Sequence, residues 1–438
     1  MRFLAVAALL VFMMAIHGFV GAPGGDLMPS AMLSFGLLIF MGYLAGCYCA
    51  MVGLPHITGY LFAGILCGPY VLGFVNREVV LRLELVDHLA LAFIAFTAGG
   101  EIRLNRLKDE GKAILSIAVF QALAAFIVVA GGAFLLLSMV DPFGLPLPLK
   151  AAVAVLLGVI AQANSPATAI AVIVEARAKG RMTDLAIGVT VLKDVMVMLF
   201  FSMALALSLS GTGAAGKASV GFAFLEIAGS LAAGALAGAV IAIFLRFVRQ
   251  GFVIFMITVS FLIVYLSELA GLHFILVCIT AGFVVENFSR LGYRLVDAIE
   301  RTSMAVYIVF FALAGAAINM SALKQMWFLA LLLVLLRAAG TAAGTYCGAK
   351  LAGEGPLVSR HGWSGFLGQA GVSLGMAAIV ARAFPEWGPT FRTIVVSAIA
   401  INQIIGPIAL QILLGRAGET AESHIVKGLR QALRLRRG

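Results

Sequence analysis

The feature that most limits this chain is the recurrence of apolar runs about 20 residues long, the length a helix needs to cross the hydrocarbon core of a bilayer. By that ruler, thirteen spans are expected near 31–53, 54–74, 85–102, 112–138, 148–175, 183–209, 219–247, 252–270, 271–289, 302–320, 325–352, 362–384 and 393–415. A soluble fold would need polar surface that the chain lacks. Only 11% of its 438 residues are charged, against roughly 25% in soluble domains, and the mean hydropathy is +1.09. A soluble enzyme, a disordered protein and a coiled coil are thereby excluded. A transmembrane barrel would show short alternating segments rather than long unbroken ones. The fold class is therefore an all-α polytopic membrane protein, because backbone groups in lipid must be hydrogen-bonded within their own segment.

A separate apolar stretch at 3–20 follows Arg2 and runs into Gly21-Ala22-Pro23-Gly24-Gly25. Residues 1–25 read either as a signal peptide or as an extra transmembrane helix. Both readings leave residue 30 outside. The connecting loops then alternate in charge, with 20 Lys and Arg on one side, tail included, and 7 on the other. The basic side is cytoplasmic by the positive-inside rule. The expected location is the inner (plasma) membrane, multi-pass, with residues 31–415 in the bilayer and 416–438 as a basic cytoplasmic tail. The net charge of +10 is then topological, and no nucleic-acid partner is implied. Five cysteines lie inside apolar runs without Cys/His ligand spacing, so they read as small hydrophobes rather than metal ligands. No cofactor is expected. No Gly-rich nucleotide fingerprint follows a strand pattern, so uphill work would have to come from an ion gradient.

Two spans carry matching interruptions. Gln162-Ala163-Asn164-Ser165-Pro166-Ala167-Thr168 lies mid-span in 148–175, and Gln369-Ala370-Gly371-Val372-Ser373-Leu374-Gly375 lies mid-span in 362–384. By the loop count the two run in opposite directions. A second echo links HITGYLFAG from His56 to HFILVCITAG from His273, again in opposite directions. Together these suggest an inverted repeat whose interrupted helices meet near the midplane. Pro166 lacks the amide proton and clashes with the preceding turn, while Gly371 and Gly375 loosen the other helix. The freed carbonyls and helix ends can ligate an ion. The plainer reading, that Gly and Pro merely serve packing, is weaker for two breaks at corresponding positions than for one.

Charge inside the membrane narrows the site. Lys193-Asp194 sits mid-span in 183–209 and Arg337 mid-span in 325–352. A charge at the bilayer centre costs roughly 2.5–3.5 kcal/mol on insertion scales, so such residues are functional candidates. Successive helix residues point about 100° apart. Lys193 and Asp194 therefore face different neighbours, and Asp194 shares its face with Thr190. A carboxyl in a partly dry cavity can both ligate a cation and exchange a proton. The bland alternative is an Asp194–Arg337 salt bridge that only staples helices. Gly234-x-x-x-Gly238 reads as a small-residue packing seam, and His56 and His273 read as structural histidines at span ends.

Leu54-Pro55, Gly59-Tyr60-Leu61, Ala63-Gly64 and Gly68-Pro69 resemble the signature of the monovalent cation:proton antiporter family, Kef-type branch. Ala98-Gly99-Gly100-Glu101 is similar to that family's Gly-Leu-Glu at the inner end of a helix, and Asn164-Ser165-Pro166-Ala167 resembles its Thr-Ser-Pro break. Asp194 matches its ion-binding aspartate and Arg337 the basic residue on the facing helix. The resemblance covers about 30–415. It implies a thirteen-helix antiporter fold with inverted repeats and two crossed broken helices, a homodimer, and alternating access in which cation and proton compete for one aspartate. The chain differs in having Lys193 before the aspartate, Asn164 at the break, and no segment like the nucleotide-binding domain of Kef-type systems.

The expected function is antiport of Na⁺ or K⁺ against H⁺, with no enzyme chemistry because no nucleophile–base pair is visible. Asp194 would carry both cation and proton. Asn164, Ser165, Thr168 and Thr190 would offer oxygens, with Gln369 and Ser373 opposite; Lys193 and Arg337 would balance charge. The rivals are a sodium-coupled organic anion symporter on a similar scaffold and a non-transporting sensor.

Overall fold

A computed structural model of the chain describes residues 27–82, 84–102, 104–139, 144–210, 220–247, 252–289, 305–369 and 372–421. The apolar stretch at 3–20 and the tail beyond 421 lie outside them. Among the described residues the regular structure is helical. The elements are α1 (Leu27–Met51), α2 (His56–Cys67), α3 (Arg77–Arg82), α4 (Glu84–Glu101), α5 (Leu104–Met139), α6 (Leu147–Ile160), α7 (Pro166–Glu175) and α8 (Arg181–Ser210). They continue with α9 (Val220–Phe247), α10 (Phe252–Ala270), α11 (Phe274–Phe288), α12 (Ala305–Ala316), α13 (Met320–Ala352), α14 (Pro356–His361), α15 (Val372–Ala383) and α16 (Gly388–Ala417). Six of these hold stretches long and apolar enough to cross a membrane, and the shorter apolar helices run 10–17 residues.

Several boundaries depart from the hydropathy ruler for local reasons. The span expected over 54–74 is helical only to Cys67, because Gly68 turns extended before Pro69. Proline restricts the residue before it to that region. Helix α13 carries non-helical backbone at Met326, close to where its span was expected to begin. The tight hairpins expected at 53/54 and 270/271 turn on Gly53 (φ +80°) and Gly271 (φ +65°), a region where a Cβ is strained.

The chain divides into two compact units. One comprises residues to 91 together with 301–320, the other 92–300 together with 321–438. In the first, α1 and α2 form a close hairpin, and α2 crosses α12 where Gly64 and Gly315 let the backbones touch. In the second, α11 crosses α4 where Gly282 and Gly99 do the same. Ala63-Gly64 and Ala281-Gly282 end the two echoed sequences, so each echo delivers its glycine to one backbone crossing.

Two more seams set the frame of the second unit. Gly234 and Gly238 pack α9 onto Val277, Thr280, Ala281 and Val284 of α11, the small-residue contact expected from their spacing. Gly340, Gly344 and Gly348 bring α13 against Ala125, Gln121 and Ile117 of α5 in antiparallel register. Their spacing of four residues is the small-xxx-small device that gives membrane helices close dispersion contact. Ser116 adds a hydrogen bond from Oγ to the Gly348 carbonyl, 2.8 Å. Helix α8 is anchored at its N-terminus by Glu419, which follows α16. Its carboxylate accepts from Met182 N (2.8 Å), Thr183 N (2.8 Å) and Thr183 Oγ1 (2.7 Å), satisfying end donors that a helix cannot satisfy itself.

The α5–α13 seam makes a clear expectation for stability. An alanine Cβ at Gly344 would meet the backbone of Phe120 and Gln121, whereas at Gly131, inside α5, it would meet nothing within 4 Å. Gly344→Ala should lower stability by about 1–3 kcal/mol through overpacking. Gly131→Ala should be neutral or stabilising by up to about 1 kcal/mol. Thermal melting in detergent, compared between the two variants, checks both signs.

Candidate functional site

The two interrupted helices are present, and they cross. In the first, α6 ends at Ile160, residues 163–165 leave the helix, and α7 restarts at Pro166. Pro166 thus occupies the first helical position of the second half, where its missing N–H is lost at no cost. In the second, α14 and a 3₁₀ turn over Gly362–Phe366 give way to non-helical residues from 367, and α15 begins at Val372. Gly371 lies outside the described residues. Gly375 falls inside α15, with nothing within 4 Å of an added Cβ. The helix opens before Val372, so the expectation that Gly375 forms the break is corrected. The breaks are joined directly by Ser165 N donating to the Gly368 carbonyl at 3.0 Å.

Arg337 ties the crossing together. This side chain is 2% exposed and projects from α13 between both breaks. Its Nε donates to Ala161 O (2.8 Å), Nη1 to Leu367 O (2.8 Å), and Nη2 to Ala163 O (2.9 Å), Asn164 Oδ1 (3.1 Å) and Phe366 O (3.1 Å). Four of these acceptors are backbone carbonyls freed by the interruptions, two on each chain segment. A guanidinium suits them because its planar fork spreads donors over several directions. Asp194 is not among its partners, so the simple Asp194–Arg337 staple is absent.

Gln369 works from the other side. Its Nε2 donates to Ile160 O (3.0 Å) and to Ser373 Oγ (3.1 Å), and its Oε1 accepts from Asn402 Nδ2 on α16 (2.9 Å). Ser165 and Thr168 serve each other. Ser165 Oγ caps α7 by accepting from Thr168 N at 3.1 Å, and it also receives the Thr168 hydroxyl at 2.9 Å. These two hydroxyls were expected to offer oxygens to an ion; Ser165 Oγ accepts both bonds at the helix end, whereas Thr168 Oγ1 donates and keeps its lone pairs.

Lys193 and Asp194 point apart, as the helical 100° step requires. Lys193 Nζ donates to Gln121 Oε1 on α5 (3.1 Å) and to Asn164 Oδ1 at the break (3.4 Å). Asp194 is 5% exposed, and its Oδ1 is buried without a hydrogen-bond partner. Asn164 Nδ2 and Gln162 Oε1 are likewise buried and unpartnered. One turn beyond Asp194, Met198 joins Ile227 of α9 and Leu276 of α11 in an apolar cluster flanked by Val195, Leu199 and Val372, so a dry wall bounds that side. Thr190 is buried one turn before Asp194. His273 Nε2 lies 3.0 Å from Glu226 Oε1, a satisfied pair of the structural kind expected.

Reading the sequence missed Gln121 and Asn402. Each is an amide in mid-span, the same signal that singled out the charged residues, but uncharged and therefore overlooked.

Comparison with known proteins places this geometry in a wider group. Residues 35–416 match the family described as sodium/hydrogen exchanger, transmembrane. Two structures of the sodium proton antiporter MjNhaP1 from Methanocaldococcus jannaschii share the fold. One, at pH 8, has a TM-score of 0.69 and 17% identity, and covers 88% of this chain and 98% of that one. The other, an electron-microscopy structure, has a TM-score of 0.69 and 18% identity, with coverage of 90% and 97%.

Arg337→Met would strand four carbonyls in a dry crossing and should destabilise the protein by more than about 3 kcal/mol. Arg337→Lys keeps the charge but offers three donors in place of the fork, so it should fall between. Melting curves in one detergent order the three proteins; equal stability of Arg337→Lys and wild type would make charge, not the fork, the property that matters.

Proposed function

From the premise that the chain belongs to the sodium/hydrogen exchanger family, we propose that it exchanges Na⁺ or K⁺ for H⁺ by alternating access, with Asp194 as the shared carrier. The observation that supports this reading is the unspent carboxylate oxygen. The carbonyls freed at the crossing are engaged by Arg337, Ser165 and Gln369, yet the carboxylate oxygen Asp194 Oδ1 is buried with no partner. An unpaired buried carboxylate is costly unless something binds it. A desolvated alkali cation and a proton are the two occupants an antiporter alternates, and both suit a hard oxygen.

The partners in this reading divide the labour. Arg337 holds the two breaks in fixed register, so the carriers move with a rigid crossing. Thr190, one turn before the aspartate, and Asn164 and Gln162, with unpartnered buried amide atoms at the break, are the neutral polar groups this reading draws on. Ser165 and Gln369 shape the site through the helix ends, and the hydroxyls of Thr168 and Ser373 keep lone pairs that could serve an ion there. Both buried cations are spent on protein oxygens, which weakens the organic anion symporter as a rival. The excess of Lys and Arg in alternate loops supports a cytoplasmic C-terminal side in the inner membrane, and the homodimer remains part of the proposal.

Asp194→Asn removes the carboxylate on which the proposal rests and should abolish cation-dependent proton movement, by about 100-fold or more. Proteoliposomes with a trapped pH dye, challenged in turn with Na⁺, K⁺ and Li⁺ at matched protein content, test class and cation together. Wild-type exchange in the mutant would remove Asp194 from the mechanism.

One carboxylate can hold one proton or one monovalent cation, so exchange should be one for one. Moving a charge through 100 mV is worth about 2.3 kcal/mol, which a valinomycin-imposed potential would reveal. The exchange rate with Na⁺ should be unchanged by that potential.

A further inference from the structure

Lys193 is 1% exposed, and its ammonium is held by two neutral amide oxygens, Gln121 Oε1 at 3.1 Å and Asn164 Oδ1 at 3.4 Å. Among the described residues no carboxylate forms an ion pair with it. That is unusual company for a buried cation, which is normally matched by an opposite charge. Neutral oxygens are instead the groups that replace the hydration shell of a monovalent cation.

Both oxygens are aimed at this point by their own bonds. Gln121 Nε2 donates to Thr345 Oγ1 (2.7 Å), whose hydroxyl donates to Thr341 O (2.6 Å), so the amide turns its nitrogen to α13 and its oxygen to Nζ. Asn164 faces donors from both Arg337 and Lys193 and must turn its oxygen toward them. The backbone under Gln121 cannot retreat, because Gly344 is packed onto it.

We propose that Gln121 Oε1 and Asn164 Oδ1 form a second seat for a monovalent cation, filled in this chain by the tethered ammonium of Lys193. An alkali ion or a primary ammonium is the class of ligand it takes. The seat rests on the antiport reading for its transport consequence: the charge of a second cation is permanently supplied, so the mobile load stays at one. Its occupancy is measurable without transport.

Lys193→Ala deletes the atoms of n-propylammonium, so that ion should restore what the mutation removes. With the purified full chain in lipid nanodiscs, millimolar n-propylammonium should raise the melting temperature of Lys193→Ala by about 2–4 °C. It should not do so for wild type, for Lys193→Met, whose stem fills the space, or for Lys193→Ala/Gln121→Leu. The uncharged n-propanol should be without effect. In proteoliposomes Lys193→Ala should lose at least tenfold in exchange and recover most of it with n-propylammonium. An equal shift in Lys193→Met or in the double variant, or no shift in folded Lys193→Ala, overturns the seat. If Lys193→Ala does not fold, Gln121→Leu with Lys193 in place decides: the seat requires a lower melting temperature and at least tenfold slower exchange, and unchanged values overturn it. Stabilisation by n-propylammonium in a protein that moves no protons with any cation would instead keep the seat and discard the antiport reading.

Discussion

Opening two helices inside a membrane strands carbonyls that lipid cannot satisfy and that water reaches only at a cost, and the fold of this protein depends on how that problem is met. Arg337 meets it with one group, donating to Ala161, Ala163, Phe366 and Leu367. The residue whose charge looks expensive in mid-membrane is therefore the one that makes the interruptions tolerable. Because its acceptors lie on both breaks, the two half-helix ends cannot shift independently. Ser165 N on the Gly368 carbonyl and Gln369 on the Ile160 carbonyl reinforce the same crossing from either side.

Around this knot the helices are positioned by close backbone approach. Lipid provides no hydrophobic force between helices, so packing must do so, and glycine is the residue that permits it. The α5–α13 seam places Gln121 under Gly344 and so delivers an amide oxygen to Lys193. The α9–α11 seam carries Leu276 and Ile227 into the apolar wall beside Asp194. Glu419 fixes the start of α8, two turns or more before Lys193. The polar centre is thus rigid through contacts made well away from it.

Much of the site was legible because charge and helix breakers are conspicuous in an apolar chain. Lys193-Asp194, Arg337 and the two Gln-Ala interruptions stand out by contrast alone. What each residue does was less visible. Ser165 and Thr168 looked like ion ligands, but a hydroxyl just before a helix start is also its natural cap, and Ser165 takes that place with Thr168 donating to it from the first turn. Gly375 looked like a break, yet glycine inside a helix costs only about 1 kcal/mol, so the opening formed elsewhere. Gln121 and Asn402 were passed over because a lone amide carries no charge to draw attention.

By itself the sequence determined the class of fold, since apolar runs of membrane-spanning length admit helices and the scarcity of charge excludes a soluble body. It also determined which residues had to be explained, because a buried charge is too costly to be incidental. The pairing of those residues was decided by tertiary structure. Arg337 lies more than 170 positions from Ala161, Ala163 and Asn164, and hydropathy carries no information on which distant carbonyl a guanidinium will meet. That choice follows from helix crossings set by glycine seams, and it left Asp194 Oδ1 without a partner while all three nitrogens of the Arg337 guanidinium were engaged.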